Sequence, residues 1–70
     1  MPIWLEGHLS RVLWASEESG WAVILVNTGE DLITAVGTLA GAIGDGDGTF
    51  LALEGDWESH PVHGRQFKST

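Results

Sequence analysis

Hydrophobic and polar positions take turns along most of this chain. Leu5, Gly7 and Leu9 alternate with Glu6, His8 and Ser10, the period of a half-buried strand. After Arg11 the phase slips, so that Val12 and Trp14 read as inward, and a slip of this kind predicts a bulge. Extended residues from Ile3 to Trp14 would span roughly 40 Å, too long for a flat strand in a small domain. The strand is expected to bend, with Gly7 as the place for it. Trp21 to Val26 predicts a second strand with Trp21, Val23 and Leu25 on the inward face, and Asn27 to Asp31 a hairpin turn. Leu32 to Thr38 predicts a third strand carrying Ile33, Ala35 and Gly37. Leu39 to Gly48 holds four glycines and two aspartates and reads as a loop with one helical turn near residues 40–43. Phe50 to Trp57 is the fourth strand. Pro61 and Gly64 turn the chain, and a fifth strand runs from Arg65.

Five short strands, the first long and bent, with the longest loop between the third and fourth, predict an all-β fold closed into a small barrel. A meander of three strands followed by a returning hairpin of two is the OB-fold layout. An SH3-like barrel competes, and the long coiled first strand and the loop after the third favour the OB-fold. The expected core is Leu5, Leu9, Trp21, Val23, Leu25, Ile33, Leu51, Leu53 and Trp57, with Gly55 inward, either to leave room where the first strand crosses or to mark a bend. The run Phe67-Lys68-Ser69-Thr70 starts a strand and stops. The expectation is one domain over residues 1–70 with a truncated fifth strand, cut from a longer protein.

Composition narrows what such a barrel can do. With 70 residues, 43% of them hydrophobic and four tryptophans among them, one core is affordable. The absence of cysteine removes disulfides and thiolate metal sites. No apolar run reaches membrane-spanning length and no signal-like segment opens the chain, so a cytoplasmic protein without a membrane partner is expected. The net charge of −7 opposes nonspecific attraction to phosphates. Two of the three cations, Arg65 and Lys68, lie in the last six residues; the third is Arg11.

Candidate chemistry is sparse. Asp45 and Asp47 have the spacing of the first two ligands of a calcium loop, but Thr49, Phe50 and Asp56 break the pattern, leaving a solvated glycine-rich loop as the better reading. Neither GxGxxG nor GxxxxGK is present, so the chain holds no phosphate cradle. His60 and His63 flank a proline turn rather than share a helix face, so no metal site is expected. Glu6, Glu54, Asp56 and Glu58 read as a solvated acidic face rather than a catalytic pair, and nothing suggests an autonomous enzyme. What remains is the hairpin between the fourth and fifth strands, where His60, His63, Arg65, Gln66 and Lys68 cluster. Trp14 beside the first loop is a candidate for stacking on a base.

In order along the chain, Leu5-Glu6-Gly7, Glu17-Glu18-Ser19-Gly20-Trp21, Ala35-Val36-Gly37, Leu53-Glu54-Gly55-Asp56-Trp57 and His60-Pro61-Val62-His63-Gly64-Arg65-Gln66-Phe67 resemble the N-terminal OB-fold domain of RecD/TraA-type ATP-dependent DNA helicases, relatives of the exodeoxyribonuclease V alpha subunit. The resemblance covers nearly the whole chain. It departs at Val62-His63, where an aromatic or basic residue is usual, and at the acidic glycine-rich loop 44–48. It implies a parent that unwinds DNA, 5′ to 3′, in recombination and repair, with ATP and magnesium bound outside this chain and no cofactor within it. The domain itself would make weak contact with single-stranded DNA through Trp14, His60, His63, Arg65, Gln66 and Lys68, or dock on the rest of the helicase or on a protein partner. The rival expectation is an acidic protein-interaction module with no nucleic-acid role.

Overall fold

The computed structural model describes residues 3–43, 48–62 and 64–69. Among these residues are five strands, β1 (Ile3–Ala15), β2 (Ala22–Asn27), β3 (Leu32–Gly37), β4 (Phe50–His60) and β5 (Gly64–Ser69), and a 3-10 turn at Ala40–Ala42. They close into a barrel in the order β1-β2-β3-β5-β4. The expected meander and returning hairpin are both there, and so is the helical turn in the long loop.

β1 belongs to both halves of the barrel. Its first part pairs with β4 from Ile3–Gly55 to His8–Phe50. Its second part pairs with β2 from His8–Asn27 to Ala15–Ala22. Thirteen extended residues would reach roughly 43 Å, against a largest dimension of 27 Å, so the strand must coil. Gly7 sits where the partner changes. A Cβ there would lie 2.5 Å from the Asn27 carbonyl oxygen and 2.8 Å from Val26 Cγ1, so only glycine permits the crossing. The expected bulge is joined by a second: the register shifts between Leu9 and Arg11 and again between Val12 and Trp14. The first shift leaves Val12 packed against the core, as expected; the second turns Trp14 outward, 54% exposed, where the sequence phase had it inward.

The core consists of Leu5, Leu9, Ala22, Ile24, Val26, Ala35, Leu39, Leu51, Leu53 and Phe67, with Val12, Ile33, Ile43 and Trp57 packed against it. This corrects the expected phase of β2. Ala22, Ile24 and Val26 point in, and Trp21, Val23 and Leu25 do not. The run Trp21-Ala-Val-Ile-Leu-Val26 is apolar on both phases, so alternation could not choose between them. The choice is made by pairing, because Ala22 lies opposite Gly37 of β3 and Ala15 of β1, a crowded corner that takes a methyl and not an indole.

Closure depends on β5. It pairs antiparallel with β4 from Gly55–Ser69 to His60–Gly64, and parallel with β3 at Ala35–Phe67 and Val36–Lys68. Its last turn of strand is flanked by two glycines. A Cβ on Gly37 would lie 3.0 Å from the Ser69 carbonyl oxygen, and one on Gly55 would collide with the Lys68 carbonyl. Gly55 is therefore inward, as expected, but the space it leaves is filled by β5 and not by β1.

Candidate functional site

Two loops frame one outer face of the barrel. Between β1 and β2, the Ser16 amide donates to the Trp21 carbonyl (2.8 Å) and the Gly20 amide to the Ser16 carbonyl (2.8 Å), while Ser19 Oγ accepts from the Trp21 amide at 3.2 Å. Gly20 takes φ +77°, a conformation glycine favours. The Ala40 amide donates to the Gly20 carbonyl, tying the 3-10 turn to the same loop. This small network fixes Trp21 at the mouth of β2. Between β4 and β5, His60 Nδ1 accepts from the Val62 amide at 3.1 Å, so the imidazole itself shapes the turn and carries its proton, when neutral, on Nε2.

A groove of about 390 Å³ lies on this outer face. Its floor is apolar, from Leu13, Trp21, Val23 and Val36, and its walls are Thr34, Glu58, His60, Gln66 and Lys68. Pairing explains the assembly. Val23 faces Val36 across β2 and β3, Val36 faces Lys68 across β3 and β5, and Glu58 faces Gln66 across β4 and β5, all on the phase opposite the core. Val36 is only 6% exposed yet stands outside the core cluster. Gln66 is buried, and its Nε2 donates to Glu58 Oε1 at 2.5 Å.

The strand period divides the hairpin cluster read from the sequence. His60, Gln66 and Lys68 line the groove. Arg65 is on the other phase of β5. Its guanidinium carbon lies 4.0 Å from the centroid of the Trp57 ring, and that ring meets Phe67 edge to face with centroids 5.4 Å apart. Arg65 is exposed, so a cation is held on an aromatic platform with its N–H donors facing solvent. Trp14 is exposed beside the groove, paired with Val23, though its neighbour Leu13 supplies the lining. His63 and the Asp45–Asp47 loop lie outside the described residues.

Sequence reasoning missed the groove floor, because Trp21 and Val23 had been assigned to the core. A signal for it existed. A strand apolar on both phases has both faces covered, or has one face available for a partner. Among the described residues no group of three His, Asp or Glu side chains could hold a metal ion, and no helix is long and apolar enough to cross a membrane.

A family model for the OB-fold domain of the ATP-dependent DNA helicase YrrC matches residues 2–70. No curated protein matches the chain. No solved structure matches it either.

Proposed function

We propose, from the premise that the chain belongs to the OB-fold domain family of the ATP-dependent DNA helicase YrrC, that it serves as an accessory domain of a RecD-like helicase acting in DNA recombination and repair. The family match over nearly every residue carries this reading. ATP and magnesium are assigned to the motor of that helicase, since the chain has no GxxxxGK segment. The domain's own part is a weak contact with single-stranded DNA at the β4–β5 hairpin.

Arg65 supports that contact. A guanidinium stacked on Trp57 is already oriented, so less side-chain freedom is lost when it takes a phosphate in a bidentate grip. Lys68 adds a second cation from the other phase, and Trp14 offers an exposed ring for stacking. The overall charge of −7 sets the ceiling. Two or three neutralised phosphates give a slope of log K against log salt of about −1.4 to −2.1, at about −0.7 per phosphate.

Titration of labelled oligothymidylate with the chain at two salt concentrations tests this. The expected dissociation constant is weaker than about 10⁻⁵ M near physiological salt, and Arg65→Ala should weaken binding further and flatten the slope by about 0.7. In the helicase that carries the domain, Arg65→Ala with His63→Ala should lower unwinding more than DNA-independent ATP hydrolysis. Unchanged binding and unwinding in these variants would remove the hairpin from the DNA contact.

A further inference from the structure

In the outer groove a hydrogen-bonded polar pair, Glu58 and Gln66, stands beside an apolar floor. We propose that the groove receives one unpaired base of the strand contacted at the β4–β5 hairpin, and that Glu58 and Gln66 favour a base with an exocyclic amino group over thymine. This rests on the reading of the domain as a single-strand contact. It adds which part of the nucleotide the groove takes and which side chains discriminate.

Three observations carry it. The first is shape. A groove of about 390 Å³ is at the small end of ligand sites, and takes a flat group the size of one base rather than a folded surface. Val23 and Val36 pair across its floor, and Trp21 beside them is 38% exposed, so a base can lie on apolar side chains and against the indole. The second is charge. Among the described residues the lining has one carboxylate, Glu58, beside Lys68 and His60. Arg65 and Lys68 are three residues apart on β5, roughly 10 Å, with Gln66 between them, so a strand whose phosphates follow these two cations passes the groove. The third is the acceptor pair. Gln66 is 7% exposed, and its Nε2 donates to Glu58 Oε1 at 2.5 Å. That bond fixes the plane of the amide and leaves Gln66 Oε1 and the second carboxylate oxygen with acceptor capacity. An exocyclic amino group donates to such oxygens, as cytosine N4 does to a glutamate. Thymine presents two carbonyls and a single N–H on the corresponding edge, so oxygen would face oxygen.

The test is an NMR titration of the 15N-labelled chain with three strands of equal length: oligodeoxycytidylate, oligothymidylate and an abasic oligodeoxynucleotide. Oligodeoxycytidylate is expected to shift the Trp21 indole signal and the amides of Val23 and Val36. It should bind about three- to tenfold more tightly than oligothymidylate, the worth of one hydrogen bond at a water-accessible site. The abasic strand should leave the groove signals in place while still shifting the Arg65 Nε signal, because it carries phosphates and no bases. Glu58→Gln keeps an oxygen for the Gln66 bond but gains an amide donor that can serve thymine. It should bring the two affinities within about twofold of each other, with an unchanged urea midpoint. Equal affinities in the parent chain, an undiminished preference in Glu58→Gln, or groove shifts of the same size with the abasic strand would overturn the proposal. So would the absence of any shift at Trp21, Val23 and Val36. The hairpin contact is read separately. Arg65→Ala should weaken both base-bearing strands alike and leave their ratio unchanged. A cytidylate preference that persists while Arg65→Ala changes nothing would remove the hairpin contact and keep the groove. Loss of binding in Arg65→Ala with no preference in the parent chain would do the reverse.

Discussion

Truncation of Phe67 to alanine is expected to destabilise the domain by about 3–5 kcal/mol. Phe67 is fully buried and is among the largest such side chains in the barrel. It pairs with Trp57 on one side and Ala35 on the other, so its ring stands at the seam where β5 joins both β4 and β3. Alanine would leave a cavity bordered by three strands and would remove the edge-to-face contact with Trp57, itself worth about 0.5–1.5 kcal/mol in such pairs. A domain of 70 residues has a total stability of only about 3.5–10 kcal/mol. Phe67→Ala should therefore be largely unfolded at room temperature or have a much lower urea midpoint. Phe67→Leu keeps more of the volume and should retain a cooperative transition between the two. A Phe67→Ala midpoint close to that of the parent chain would mean that β5 does not close the barrel.

The sequence was most legible where one phase is apolar and the other polar. Residues 5–10 of β1 meet that condition and residues 51–56 of β4 come close to it, and Leu5, Leu9, Leu51 and Leu53 are buried as expected. The turns were legible for a different reason, their side-chain chemistry. At Asn27 to Asp31, Asn27 Oδ1 accepts from the Gly29 amide at 2.8 Å and the Thr28 amide donates to the Asp31 carbonyl at 3.0 Å, the local bonding that asparagine, threonine and glycine favour. β2 was misread because both of its phases are apolar, and the bulk of Trp21 suggested a core residue. Ala22 is inward because of its cross-strand neighbours, which no local pattern displays. Phe67 stands outside the expected core because its burial comes from pairing with β4 and β3 rather than from any local alternation.

The candidate site divides along the same line. The hairpin residues are neighbours in the chain, but a strand sends successive side chains to opposite faces. Arg65 and Gln66 are adjacent in the chain and cannot serve one surface equally. Gln66 bonds to Glu58 in the groove, while Arg65 stacks on Trp57. One short hairpin thus supplies a cationic platform on one phase and the wall of an apolar, carboxylate-bearing groove on the other.

Gly55→Val is expected to be as damaging as the loss of Phe67, by the opposite mechanism. Gly55 faces inward on β4, opposite Ser69 on β5 and Ile3 on β1. A Cβ added there would overlap the Lys68 carbonyl oxygen and come within 2.9 Å of the Ser69 Cα. These are backbone atoms, so no side-chain rotation relieves the overlap; the two strands must separate. Separation also breaks the β4–β5 ladder near its end and pushes Ser69 toward Gly37, whose Cβ position is already 3.0 Å from Ser69. Overpacking in a yielding core costs about 1–3 kcal/mol, and a clash with backbone on a strand held from both sides belongs at or above the top of that range. Alanine brings the same Cβ and should cost nearly as much as valine, whereas a site limited by side-chain volume would accept alanine far better. Urea denaturation of the Gly55→Ala and Gly55→Val chains decides between these. Similar large drops in both midpoints are expected. A Gly55→Ala midpoint near that of the parent chain would show that β5 can move away at little cost, and that the glycine-lined seam is not what sets the closure of the barrel.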